Sequence, residues 1–363
     1  MNNGISATDA ADLLFGSFIR YDRMYEMTKF AFYGKTDSNE VNIYIDIYSI
    51  LKTLYSRGPA LQIKDSYVIA SCIINLAIHL RAYFETRHNV TSKVYIIYGG
   101  ARPKEAFVNY YKYNEKNILA EDSDFIIKSL IIDNLDVVKL LCPYLYDIFC
   151  IVDMENEFST IASAIIDGQP KEIPNIVYSK EPLAYQLVAF KPKTFLYRPK
   201  KRLNEDLSWV VTKSNLYNSY RYGELKLKQE VDIPLDIKLI SIYQSLSGLR
   251  SRSMNSLKNA NVSLKMLSKA VESNTFPNGY NSNSIFYFKP NPFELLCEQN
   301  GLNAAELTNR FAAIDLPYQS MVYKTRPSFT EANIGIINLY DPQSVRNIND
   351  KYFTKYPLDL NRV

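Results

Sequence analysis

Histidine is nearly absent: this 363-residue chain has two, against 42 Lys+Arg and 38 Asp+Glu. That scarcity excludes imidazole-rich metal or acid–base chemistry. His79 lies in the apolar helical pattern of residues 68–83 with no carboxylate or second histidine at i+3 or i+4, so it reads as a packed or interfacial residue. Cysteine is also scarce. The four residues Cys72, Cys142, Cys150 and Cys297 form no C-x-x-C pair, and the first three sit in apolar runs, as buried free thiols do. A reducing compartment and no zinc site are expected. Neither G-x-G-x-x-G nor G-x-x-x-x-G-K-[ST] occurs, so no nucleotide cofactor is expected. G-x-S-x-G is missing too, and with so little histidine a serine or cysteine nucleophile has no base. The N-terminus lacks a basic stretch followed by an apolar one, and no run of about 18 apolar residues appears. Neither secretion nor a membrane span is expected, which leaves the cytoplasm. The net charge of +4 is too small for an overall basic field, so any contact with nucleic acid must be a local patch.

What is abundant is apolar: 47% hydrophobic residues over this length suffice for two domains or one large α/β domain with appendages. The 29 tyrosines, with much Asn, Ile and Lys, fit an AT-rich coding bias of the kind found in some viral and low-GC bacterial genomes, with virion or host cytoplasm as the setting if viral. No internal repeat or low-complexity tract is visible.

The most informative segment is Val41-Asn42-Ile43-Tyr44-Ile45-Asp46-Ile47-Tyr48-Ser49-Ile50-Leu51, an apolar run interrupted by one carboxylate. Buried parallel strands read as near-continuous hydrophobic runs, and ligands of open α/β sheets bind beyond their carboxyl ends, so Asp46 is delivered to a site edge. The alternative is a cap on the helix that follows, and caps are commoner than active-site acids. A long helix is expected from about residue 64 to 87, then a strand over 93–100 ending Gly99-Gly100. Residues 137–145 suggest a helix, 148–152 a strand followed by Asp153, 157–166 a helix, 174–179 a strand, and a helix or turn starts at Glu181. Alternating strands and helices predict a mostly parallel twisted sheet with helices on both faces, its loops gathered on one edge.

Residues 191–232 are basic and aromatic, with Lys200, Lys201 and Arg202 at their centre. Such a run grips phosphates and stacks bases, or forms a solvated hairpin face. The expected organisation is a helical arm (1–39), the α/β domain (40–232), a small helical unit (233–285) and an extended tail (286–363) punctuated by Pro290-Asn291-Pro292 and Tyr340-Asp341-Pro342. Arm and tail are the parts that would dock on other protein subunits.

The order of these features resembles the PIN/FEN-like 5′ nucleases, the group of flap endonucleases, phage 5′-3′ exonucleases and the nuclease domain of some DNA polymerases. The resemblance spans roughly residues 40–275. Its first strand ends in an Asp followed by a small helix, as Asp46 does. A second strand normally ends in an acidic turn, here Tyr98-Gly99-Gly100-Ala101-Arg102-Pro103-Lys104 without the acid. The acidic helix head is matched by Asn156-Glu157-Phe158-Ser159-Thr160, and the Ser-x-Asp-x-Asp end of the fourth strand by Ser179-Lys180-Glu181. A worn helix-hairpin-helix copy, Gly248-Leu249-Arg250-Ser251-Arg252, has lost the glycines that let backbone approach phosphate.

The resemblance implies catalytic roles for Asp46, Glu157 and Glu181, with Asp46, Glu157 and Asp153 as metal ligands. It implies DNA or RNA contacts at Arg102, Lys104, Lys180, Lys200, Lys201, Arg202, Arg250 and Arg252. Two-metal phosphodiester hydrolysis needs two cations about 4 Å apart in a cluster of carboxylates, and Mg²⁺ demands oxygen ligands. Three or four acids stand where active relatives place six or more. The expectation is therefore a degenerate copy, inactive or strongly impaired, that binds nucleic acid or serves as a structural, plausibly phage, component. The alternative is an active divergent 5′ nuclease using Mg²⁺ or Mn²⁺, and otherwise no cofactor is expected.

Overall fold

The computed structural model describes residues 38–49, 51, 65–100, 133, 135–153, 155–198, 209–211, 240–241, 244–245, 301, 304–327, 329 and 339–363. Six strands form one sheet: β1 (Glu40–Asp46), β2 (Thr91–Gly99), β3 (Ile148–Asp153), β4 (Asn175–Tyr178), β5 (Thr194–Arg198) and β6 (Trp209–Val211). Their order is β3-β2-β1-β4-β5-β6. The first five are parallel and β6 is antiparallel to β5. β1 is central, which explains its almost unbroken apolar sequence. The expected mostly parallel α/β sheet is present.

Strand alternation divides the faces. Val41, Ile43 and Ile45 join a core with α1 (Ser66–His88), whose N-cap Asp65 accepts from the amides of Tyr67 and Val68. By length and apolar composition α1 would pass for a membrane span, but most of it is buried inside the fold, as befits a core helix. The other residues of β1 face the opposite way, where Tyr44 stacks on Tyr95 (5.0 Å between centroids) and Tyr95 on Phe149 (5.2 Å). Helix α2 (Phe158–Gly168) packs on β2 and α3 (Ala184–Phe190) on β5. Cys72, Cys142 and Cys150 are buried and free.

β5 lies inside the basic, aromatic run, for which a solvated hairpin face was one expectation; it pairs antiparallel with β6, but Thr194, Leu196 and Tyr197 are buried beside β4 rather than solvated. One expectation is corrected. The tail is not extended where it is described. It contains α4 (Ala304–Ala312), α5 (Leu316–Lys324) and α6 (Pro342–Tyr352). The reason is proline position. Pro317 and Pro342 sit in the first turns of α5 and α6, behind the N-caps Asp315 and Asp341, where a missing N–H costs nothing. The tail packs on the domain: α5 lies on α2, while Val345, Ile348, Phe353 and Leu358 enter the core beneath α1.

Beyond α6 the chain runs along α1. Ser71 Oγ donates to the carbonyl of Tyr356, Asn75 Nδ2 to that of Pro357 (3.1 Å), and Asn75 Oδ1 accepts from the Asp359 amide (2.8 Å). Arg81 donates to the carbonyls of Tyr146 and Arg362. His79 is an interfacial residue of this contact, 3.2 Å from Asp359. The expected arm before residue 38, and all of the 233–285 unit except residues 240, 241, 244 and 245, lie outside the described residues.

Candidate functional site

Three parallel strands deliver acids to the carboxyl edge of the sheet, and each acid also has a local structural task. Asp46, at the last position of β1, opens a short helix at residues 47–49. Its Oδ1 accepts from the Ser49 amide at 3.1 Å, the geometry of an N-cap. Cap and site-edge readings therefore describe the same buried residue. Oδ2 accepts from Ser49 Oγ and, at 2.6 Å, from Ser179 Oγ at the end of β4. Burial raises the Asp46 carboxyl above its usual range, while the Ser179 and Ser49 hydroxyls and the amides of Ser49 and Tyr48 pull it back.

Glu181, just beyond β4, reaches across to α2. Its Oε2 accepts from the Ser159 amide (2.8 Å) and Oγ (2.5 Å), so it caps the N-terminus of a helix whose own N-cap residue, Glu157, makes no side-chain cap. Glu157 and Asp46 both act on Glu181 electrostatically. Burial first, then Glu157 and Asp46, hold the Glu181 carboxyl well above the usual carboxylate range.

The loop before α2 is placed by glycine. A Cβ on Gly99 would meet Phe158 N at 2.7 Å and Asn156 O at 3.0 Å, so only glycine lets the end of β2 sit beneath Glu157. Gly100 turns away with φ +68°. Asp153 is occupied by the same loop. Oδ1 accepts from the Glu155 and Asn156 amides (2.8 and 3.0 Å) and Oδ2 from Asn156 Nδ2 (2.8 Å). Arg326, just past α5, donates to Asn156 Oδ1 at 3.2 Å.

The structure thus brings together Asp46, Glu157 and Glu181, with Asp153 engaged in the neighbouring loop. Lys180 is partly buried between Ser179 and Glu181, its amide donating to Ser49 Oγ at 2.8 Å. Arg102, Lys104, Lys200, Lys201, Arg202, Arg250 and Arg252 lie outside the described residues. Among the described residues no group of three His, Cys, Asp or Glu side chains stands in metal-binding geometry. The donor chemistry agrees: Asp46 accepts from the Ser49 amide and the hydroxyls of Ser49 and Ser179, and Glu181 is engaged as a cap by Ser159. The acids do not fit the two-cation centre that the family resemblance implies.

Sequence reasoning missed Ser49, Ser159 and Ser179 as partners of these acids. The signal was there, since Ser159 stands where an acid was expected and Ser49 lies three residues beyond Asp46.

No family model matches the chain, and no curated protein matches it. Solved structures with a similar chain path include the following. A pseudo-enzyme–product complex of the bacteriophage T5 flap endonuclease with DNA and metal ions has a TM-score of 0.49 and 11% identity, covering 85% of this chain and 98% of that one. The T5 protein co-crystallized with metal ions gives 0.48 and 14%, over 86% and 99%. The T5 5′-exonuclease with bound zinc gives 0.42 and 13%, over 86% and 98%.

Proposed function

We propose that this chain is a nuclease-like protein whose phosphodiester hydrolysis is lost or strongly impaired, and that it acts by binding DNA or RNA. The observation that carries this reading is the set of hydroxyl and amide donors that occupy Asp46 and Glu181. Two cations at neutral pH need ionised carboxylates with free lone pairs. Of the three acids gathered here, Asp46 accepts from two hydroxyls and an amide, and Glu181 accepts from the Ser159 hydroxyl and amide. The basic segments around Arg102, Lys200 and Arg250 supply phosphate-binding charge without catalysis. Docking of the tail on a further protein subunit, in a cytoplasmic or virion setting, belongs to the same proposal.

A second reading, an active divergent nuclease using Mg²⁺ or Mn²⁺, is favoured by the convergence of acids from three separate elements on one edge. A Mn²⁺ calorimetric titration beside a cleavage assay on 5′-flapped and single-stranded DNA separates the two, with Asp46→Asn as control. The proposal expects binding of DNA without cutting in parent and variant alike. Cutting by the parent that disappears in Asp46→Asn overturns it.

A further inference from the structure

The acids of this edge do not accommodate cations, and we infer that the hydroxyls of Ser49, Ser159 and Ser179 are what hold the cluster closed. The inference rests on the nuclease-like reading of the edge. A carboxylate offers about four lone-pair sites. At Asp46 three of them are met by the Ser49 amide and the hydroxyls of Ser49 and Ser179. Glu181 Oε2 is met twice, by the Ser159 amide and hydroxyl.

The direction of each hydroxyl is set from behind. The Lys180 amide donates to Ser49 Oγ at 2.8 Å, and the Glu181 amide donates to Ser179 Oγ at 3.0 Å. With a lone pair engaged by an amide, each hydroxyl turns its proton toward Asp46. A cation would need the reverse orientation, with oxygen lone pairs facing it. The chain of donors also ties three elements together: the loop after β4 holds Ser49, Ser49 and Ser179 hold Asp46 at the end of β1, and Glu181 holds the start of α2. Hydroxyls and amides here deliver the positive partial charge that cations would deliver to an ionised cluster.

The lock makes a gain-of-function prediction. In Ser49→Ala/Ser179→Ala, Asp46 loses two donors and becomes a buried, under-satisfied anion that will accept a hard cation. Tyrosine-sensitised Tb³⁺ luminescence is titrated on the full-length parent, the double variant, and the double variant with Asp46→Asn. The expected result is Tb³⁺ binding at least about tenfold tighter in the double variant, abolished by Asp46→Asn. Equal affinity in parent and double variant overturns the inference, as does a gain that survives Asp46→Asn.

Should the double variant fail to fold, single Ser49→Ala is read by amide hydrogen exchange. The Lys180 amide is expected to exchange about tenfold faster, with β1 amides unchanged, and an unchanged Lys180 rate overturns the inference. DNA cleavage by the parent in Mn²⁺ would sink the proposed function on its own, whereas the Tb³⁺ comparison decides the role of the hydroxyls.

Discussion

Helix α2 is held at both ends by charged side chains from elsewhere in the chain, and the two ends are built differently. At its C-terminus the buried Lys191 Nζ donates to the carbonyls of Ile166 (3.0 Å), Asp167 (2.8 Å) and Gln169 (2.9 Å), three donors for three acceptors. At its N-terminus Glu181 meets the Ser159 amide with the right sign of charge for the helix dipole. Yet Glu157 and Asp46 crowd it with like charge. One acid would suffice as a cap. The C-terminal end gathers one charged side chain and three acceptors, whereas the N-terminal end gathers three carboxyls around one helix start.

The largest test of this contrast is Lys191→Met, which strands three helix-end carbonyls. It should lower the unfolding free energy by about 3 kcal/mol, measured as a shifted denaturant midpoint at constant slope. Next is Gly99→Ala, whose methyl runs into the backbone of Asn156 and Phe158. A loss of about 2 kcal/mol is expected, with faster amide exchange in the loop before α2 and none at Lys191.

Glu181→Gln probes the surplus itself. The amide oxygen can still accept from Ser159, while the carboxyl crowded by Glu157 and Asp46 is gone, so stability at pH 7 should stay within about 1 kcal/mol of the parent and lean upward. The pH dependence gives the sign. A carboxyl raised in the folded state binds its proton more tightly there than in the unfolded chain. Between its ordinary value and the raised one, the folded state therefore holds more protons, and stability falls as pH rises. Thermal melts over that window should fall less steeply in the variant, and an unchanged slope would assign the pH response elsewhere. The smallest effect belongs to Lys324→Ala at the C-terminal end. Its ion pair with Asp167 is partly exposed, so the change should remain within about 0.5 kcal/mol, checked by the same denaturant midpoint.

Much of the architecture was readable because its signals are redundant. β1, β2 and β3 are apolar runs bounded by turn residues, and α1 keeps its helical pattern for 23 residues. β5 escaped because Lys191, Lys193 and Arg198 dominate the composition around a strand of which only part is apolar. The tail helices escaped because proline marks a helix start as well as an extended segment, and Asp341-Pro342 was taken in the second sense. At the site, strand ends located the acids. The hydroxyls of Ser49 and Ser159 left a positional signal, but a serine's role as donor shows only when the fold sets which acid it faces.

The strap over α1 has a consequence for synthesis. Ser71 and Tyr356 are 285 residues apart, and Phe353 and Leu358 complete the core beneath α1. While the ribosome is still making those residues, the sheet can assemble but its long apolar helix lacks its final cover. The nascent chain then presents a bare helix with the composition of a membrane segment. Chaperone occupancy should concentrate there and end when the strap emerges.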